Sequence, residues 1–348
     1  MATDEPIIFR QAPPSAQTGV PLPLSPAERL PLGPLPGSRY PDPHIESLDK
    51  RFKGSPGTGA VERVATGFRW AEGPAYLRGG RYLIFSDIPN NRQMRLLEDD
   101  NHLSVFRSPS ENSNGNTVDR QGRLVTCQHA ARRVVRTEHN GQVTILADRY
   151  DGKRFNAPND VIVASDDSIW FSDPTYGIGG NYEGLQADKE QATNNVYRID
   201  ARSGAVTMLI DDFTQPNGLA FSPDEKRLYI VDSGRTHGGA AHIRVFDVDV
   251  AAGRLSNGRV FAENFAPGIT DGMRVDVEGN VWTSMGWADP SEDGVRCYAP
   301  DGDLIGKIHL PETCANLAFG GLLHNRLYMC ASTSIYALYV NTQGAAVP

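Results

Sequence analysis

The sequence predicts an all-β chain folded as a six-bladed β-propeller, with four antiparallel strands per blade and a ring closed by a strand from the N-terminal side. Three observations predict it. A polar residue followed by a strand-turn-strand pattern recurs six times, a second hairpin pattern lies between successive copies, and the last copy is one strand short. Repeats of this length with short, evenly spaced strands are the signature of blades arranged radially.

The elements follow in chain order. The first 50 residues are Pro-rich (APPSAQTGVPLPLSPAERLPLGPLPG) and read as an extended arm preceding the propeller, which takes residues 51–348. A charged start, an apolar run and a small-residue cleavage site do not occur there in sequence, so no secretory leader is expected. AVERVATGF, residues 60–68, alternates as a strand. The six copies begin EGPAYLRGGRYLIFSD at Glu72, NTVDRQGRLVTCQH at Asn116, NDVIVASDDSIWFSD at Asn159, NGLAFSPDEKRLYIVDS at Asn217, DGMRVDVEGNVWTSMG at Asp271 and NLAFGGLLHNRLYMCAS at Asn316. Their first residues lie 44, 43, 58, 54 and 45 apart. The long third interval holds a polar insertion, YGIGGNYEGLQADKEQATNN, expected as a flap over the third and fourth blades.

Between copies, stretches such as RRVVRTEHNGQVTILAD and NVYRIDARSGAVTMLID alternate apolar and polar residues around Gly, Asn or Asp turns, giving each blade its outer hairpin. The sixth copy ends at SIYALYV with three strands. AVERVATGF supplies the fourth and removes an exposed sheet edge.

Charge and cysteine content narrow the function classes. A net charge of −8 argues against nucleic acid, which demands a basic footprint. No apolar stretch approaches the roughly 20 residues of a membrane-spanning helix. Cys127, Cys297, Cys314 and Cys330 are scattered over different repeats, without paired spacing, and read as buried reduced thiols of a cytoplasmic protein, or of a periplasmic one had a leader been lost. Neither a G-x-S-x-G elbow nor a phosphate-binding glycine loop is present, and the one S-x-x-K match, SLDK at 47–50, lacks its partner motifs.

The site follows from the repeat geometry. In a propeller the first strand of each blade lines the central channel, so Glu72, Asn116, Asn159, Asn217, Asp271 and Asn316 are expected around one mouth. The second strands return His129, Ser172-Asp173 and Asp232-Ser233 to the same rim. Carboxylates and amide oxygens converging in a partly dry channel call for a cation, and oxygen-only donors suit Ca²⁺, with other divalent cations able to substitute. Zinc is disfavoured by the absence of cysteine from the ring.

WAEGP (70–74), APNDV (157–161), QPNGL (215–219) and TDGM (270–273) resemble the gluconolactonase and senescence marker protein (regucalcin) family, and SDIPNNR, SNGNTVDRQGRLVTCQH and WFSDPTYG resemble its bacterial gluconolactonase branch. The resemblance runs from about residue 60 to 340. It implies a six-bladed, calcium-dependent lactonase acting on a small sugar lactone, with Glu72, Asn217 and Asp271 binding the metal and Asn159 between metal and substrate. Asp271 inherits the role of candidate general base. RFNAPND departs from the regucalcin pattern, where Arg-Phe-Asn-Asp is contiguous, and leaves open whether Arg154 or Asn156 reaches the substrate. His129 is the alternative base, or an orienting residue bonded to a neighbouring loop. Asn116, Asp173 and Tyr176 are candidates for binding sugar hydroxyls. Phosphotriester or fluorophosphate hydrolysis on the same metal, and a non-enzymatic binding propeller with structural calcium, are the alternatives. Nothing in the sequence fixes an oligomeric state.

Overall fold

The computed structural model describes residues 31–263 and 265–346, and shows the six blades. The first is built from Ala71–Leu77, Tyr82–Asp87, Arg92–Leu97 and Leu103–Arg107, paired antiparallel in that order. The second runs Ser113–Val118, Leu124–Gln128, Arg133–Thr137 and Val143–Ala147, and the third Val161–Val163, Ile169–Asp173, Asn194–Ile199 and Val206–Phe213. The fourth comprises Pro216–Phe221, Arg227–Asp232, His242–Asp249 and Arg254–Ala262, the fifth Met273–Val275, Val281–Met285, Gly294–Tyr298 and Leu304–His309. The sixth takes Cys314–Gly320, Arg326–Ala331 and Ser334–Tyr339 from the C-terminal side and Glu62–Thr66 from the N-terminal side. The expected closure is therefore the observed one, with Ile335 opposite Ala65.

Two short strands add to the outer edges. Gly33–Pro34 pairs with Glu62–Thr66, and Ile45–Ser47 pairs with Leu304–His309. Covering the edges of the fifth and sixth blades in this way hides ladder groups that would otherwise recruit another chain. The rest of the expected Pro-rich arm, residues 1–30, lies outside the described residues.

The blades hold together through six apolar seams, one between each adjacent pair, because alternate residues of each strand face the neighbouring sheet. Trp282 fills the seam between the fifth and sixth blades and Trp170 that between the third and fourth, both without solvent exposure. Each fully buried Val, Leu, Ile or Phe in these seams contributes roughly 1.5–3 kcal/mol. The seam between the first two blades is the smallest, with only Ala75, Ile84 and Leu124 fully enclosed. A polar network completes it. The Asn116 carboxamide oxygen accepts from Gln93 Nε2 and Thr126 Oγ1 (both 2.7 Å), while its Nδ2 donates to the Gly73 carbonyl (2.7 Å) and Ser86 Oγ (3.0 Å). All four cysteines are buried and unpaired, and no described helix is long and apolar enough to cross a membrane.

Candidate active site

Inner strands of neighbouring blades approach so closely near one mouth that side chains are excluded at alternating points. A Cβ on Gly115 would meet the Asn159 carbonyl at 2.3 Å, and one on Gly218 the Asp271 carbonyl at 2.3 Å. Glycine at these positions lets backbone bond backbone, with Gly115 N–H donating to Asn159 O (2.8 Å) and Gly218 N–H to Asp271 O (3.0 Å). The residue before each glycine is thereby aimed at the mouth. That register makes Glu72-Gly73, Asn114-Gly115, Asn159-Asp160, Asn217-Gly218, Asp271-Gly272 and Ala315-Asn316 the equivalent pairs. The second-blade repeat is thus read two residues too late at Asn116, and the sixth one residue too late at Asn316.

The mouth holds a cavity of about 180 Å³ lined by Glu72, Asn114, Asn159, Asn217 and Asp271 together with Tyr176 and Glu183. All four expected metal ligands therefore meet in one place. Asn116 does not reach it, being saturated in the seam beneath, and Asn114 takes its position. A cavity of about 230 Å³ opens at the other mouth between Arg120, Phe221, Arg274 and Phe319. Its lining mixes apolar residues with Asn116, Thr117, Ser222 and Glu225 and includes none of the four expected metal ligands.

Each donor is fixed from behind. Asn316 Nδ2 donates to Glu72 Oε2 at 3.1 Å, and the Gly73 amide bonds the same oxygen. Asn217 Nδ2 donates to Ser233 Oγ (3.0 Å), which turns its carboxamide oxygen away from Ser233. Asn159 is held by its backbone, its amide donating to Ser172 O at 2.9 Å. The Asp271 and Gly272 amides both donate to Ser284 Oγ at 3.1 Å. Asn114 Oδ1 is buried with no hydrogen-bond partner, an arrangement that costs free energy unless a ligand completes it.

The charges of the site are unbalanced. Burial, and then the charge of Asp160, push Glu72 up to about 8. Burial, and then the charges of Glu72, Glu183 and Asp160, hold Asp271 well above the carboxylate range. Burial pushes Glu183 up to about 7. The Arg274 guanidinium stands 3.6 Å from Asp160 Oδ2, and among the described residues no ion pair reaches Glu72 or Asp271. Among the described residues no three His, Cys, Asp or Glu side chains converge as a metal cluster. The donor set is instead two carboxylates and two carboxamides, the composition a hard divalent cation takes.

His129 stands behind this wall. Its Nδ1 bonds the Glu183 carbonyl (3.0 Å) and its Nε2 bonds Asn114 Nδ2 (3.2 Å). A carbonyl only accepts and an amide NH₂ only donates, so Nδ1 carries the proton and the Nε2 lone pair is already in use. Burial pushes the imidazole down to about 4, keeping it neutral. His129 is consequently not placed to act as base, and the orienting reading fits it. Its bond to Glu183 draws the insertion towards the second blade, across the mouth, as well as over the third.

Asp173 is also withdrawn from the pocket. It accepts from the Asn156 amide (2.8 Å) as Asp87 does from Arg69 (2.9 Å) and Asp232 from Thr214 (2.9 Å), so three blades use the same aspartate to brace the loop entering the inner strand. Asn156 is buried against the Asp173 carbonyl and Asn194, and the exposed Arg154 reaches the Ala131 carbonyl, so neither lines the cavity. Tyr176 does line it, its hydroxyl 2.9 Å from Ser233 Oγ. Asn114, Glu183 and the aromatic pair Trp70 and Trp287 are lining residues not singled out from sequence. The Asn-Gly pair shared by 114–115 and 217–218 was the available signal for the first.

Fold and pocket together define a six-bladed propeller with an acid and amide donor set at one mouth. Residues 70–333 match the family described as SMP-30/Gluconolactonase/LRE-like region, and the chain belongs to that family. A gluconolactonase of Zymomonas mobilis is 30% identical over 308 residues, spanning 82% of each chain. A pentonolactonase of Haloferax volcanii is 29% identical, spanning 76% of this chain and 82% of its own. Among solved structures, a gluconolactonase of Xanthomonas campestris superimposes with a TM-score of 0.78 at 32% identity, covering 89% of this chain and 97% of its own.

Proposed function

We propose that the chain is a calcium-dependent hydrolase that opens sugar lactones. The observation that carries this reading is the meeting of Glu72, Asp271, Asn159 and Asn217 in one small cavity with no cationic side chain among its described lining residues. The names of the two curated relatives and of the solved neighbour support the substrate class.

Glu72, Asn159, Asn217 and Asp271 would hold the cation, which when bound supplies a Lewis acid for the lactone carbonyl. Asp271 takes a proton from the attacking water. As the ring C–O bond breaks, that proton passes to the departing alkoxide, giving one hydroxy acid from one lactone and one water. Asn114 Oδ1 and the Glu183 carboxylate accept hydrogen bonds from the sugar hydroxyls. The test is acid release from D-glucono-δ-lactone, measured with added calcium and with chelator, beside a phosphotriester panel. Calcium-dependent release from the lactone alone supports the reading. Phosphotriester turnover without lactone turnover changes the substrate class, and binding without turnover makes the propeller a receptor.

A further inference from the structure

The cavity lining is chemically mixed. Besides the carboxylates and amides it includes Trp70, Ile88, Ile269 and Trp287. Trp70 comes from the entry to the first blade and Trp287 from the loop after Val281–Met285 of the fifth, and their rings lie 5.5 Å apart at 40°. Trp287 is 42% exposed and has a φ of +56°. A residue with a Cβ loses free energy in the left-handed region, and an indole left this open regains little of it by burial. The position is nevertheless braced on both sides. Gly286, immediately before it, exchanges two backbone hydrogen bonds with Ile269 (3.0 and 3.2 Å), and Asp289, just after it, accepts from the Ser291 amide (2.9 Å). Strain held at a pocket rim by a braced loop points to use by a ligand.

We propose that Trp287, backed by Trp70, is a specificity-determining residue that stacks on the C–H face of the lactone ring and turns its carbonyl towards the donor set. A lactone ring entering this cavity has an apolar face to cover, and a large aromatic surface covers it without needing a hydrogen-bond partner. An apolar substituent on that face increases the covered area, so alkyl-substituted δ-lactones join sugar lactones as the substrate class. A face-on stack on the ring would be kept from ground to transition state, so its contribution is expected in binding.

This inference rests on the lactonase reading, and steady-state kinetics of the full chain separate the two. With D-glucono-δ-lactone, W287A is expected to raise KM roughly tenfold or more with kcat within about threefold, while W287F keeps KM within about threefold of wild type. Across a series of δ-lactones bearing longer alkyl groups, wild-type kcat/KM rises with chain length and the W287A series is flat. Calcium affinity by calorimetry stays within about twofold in both variants. Wild-type turnover with an unchanged KM in W287A overturns the stacking role alone. A parallel loss of calcium affinity shows the tryptophan to be structural and also overturns it. Failure of the wild type to open any lactone removes the lactonase reading and this one with it.

Discussion

Asn114 donates through Nδ2 to His129 Nε2 at 3.2 Å, and the same imidazole donates through Nδ1 to the Glu183 carbonyl at 3.0 Å. One neutral ring thus orients an inner-strand amide of the second blade and fastens an insertion of the third. Glutamine can reproduce both bonds, accepting through its oxygen and donating through its nitrogen. His129→Gln should keep turnover within about tenfold of wild type, whereas loss of a general base costs roughly 10²–10⁴-fold. His129→Ala should be worse than His129→Gln, and equal, severe losses in both would return His129 to the chemistry.

Asn217→Ala removes a neutral oxygen donor while leaving the apolar seam intact, because Asn217 packs at the mouth. Calcium affinity and lactone turnover should fall together. Unchanged affinity in a calorimetric titration would reduce Asn217 to a strand-entry residue.

Asp271→Asn separates binding from proton transfer. The amide keeps one oxygen towards the mouth but cannot accept a proton at neutral pH. With calcium saturating, kcat should fall roughly 10²–10⁴-fold and stay low as calcium is raised. Restoration by excess calcium would make Asp271 a ligand only and shift the base to Glu183.

The raised carboxyls give the metal-depleted protein a defined pH dependence. Glu72 goes from an ordinary 4.5 to about 8 and Glu183 to about 7, so the folded chain holds protons that the unfolded chain has released. Stability from these groups is complete below about pH 4.5 and is lost as pH rises through 7 and 8. In chelator, Tm should decline between pH 6 and 9, and saturating calcium should flatten the decline. A chelated protein with constant Tm across that range would mean the carboxylates are already neutralised by the chain.

Deletion through residue 50 removes two outer edge strands, Gly33–Pro34 and Ile45–Ser47, which lie away from the cavity. Deletion through residue 68 also removes Glu62–Thr66. The shorter deletion should retain lactone KM and calcium affinity with a lowered Tm, and the longer one should unfold or aggregate. Equal Tm values would mean that the sixth sheet does not need its fourth strand.

The blades were legible because each repeat spells two hairpins with period-two alternation, and because the three-strand final copy leaves one place for AVERVATGF. Glu72, Asn217 and Asp271 were legible as cavity-lining residues because close backbone approach demands a small residue next to a polar one, which appears as EG, NG and DG, whereas Asn159 is followed by Asp160 and was legible from its place in the repeat. Asn116 was misread for a physical reason. Its spacing of 44 from Glu72 fits the repeat equally well, and only the contact between Gly115 and the Asn159 carbonyl distinguishes the two registers. Glu183 and Trp287 stand on loops with no periodicity, so their arrival at the mouth depends on His129 and on the Gly286–Ile269 bridge, both contacts distant in sequence.

Thr66 Oγ1 lies 3.0 Å from Ser334 Oγ, 268 residues along the chain. During synthesis at about 5–20 residues per second, the closing strand waits roughly 13–54 s for its partner. Throughout that interval the first blade presents its apolar side, including Phe68 and Phe85, without the sixth to cover it. The nascent chain is therefore most exposed to chaperones and to self-association at its first blade, and every blade made in the meantime can fold before the ring exists.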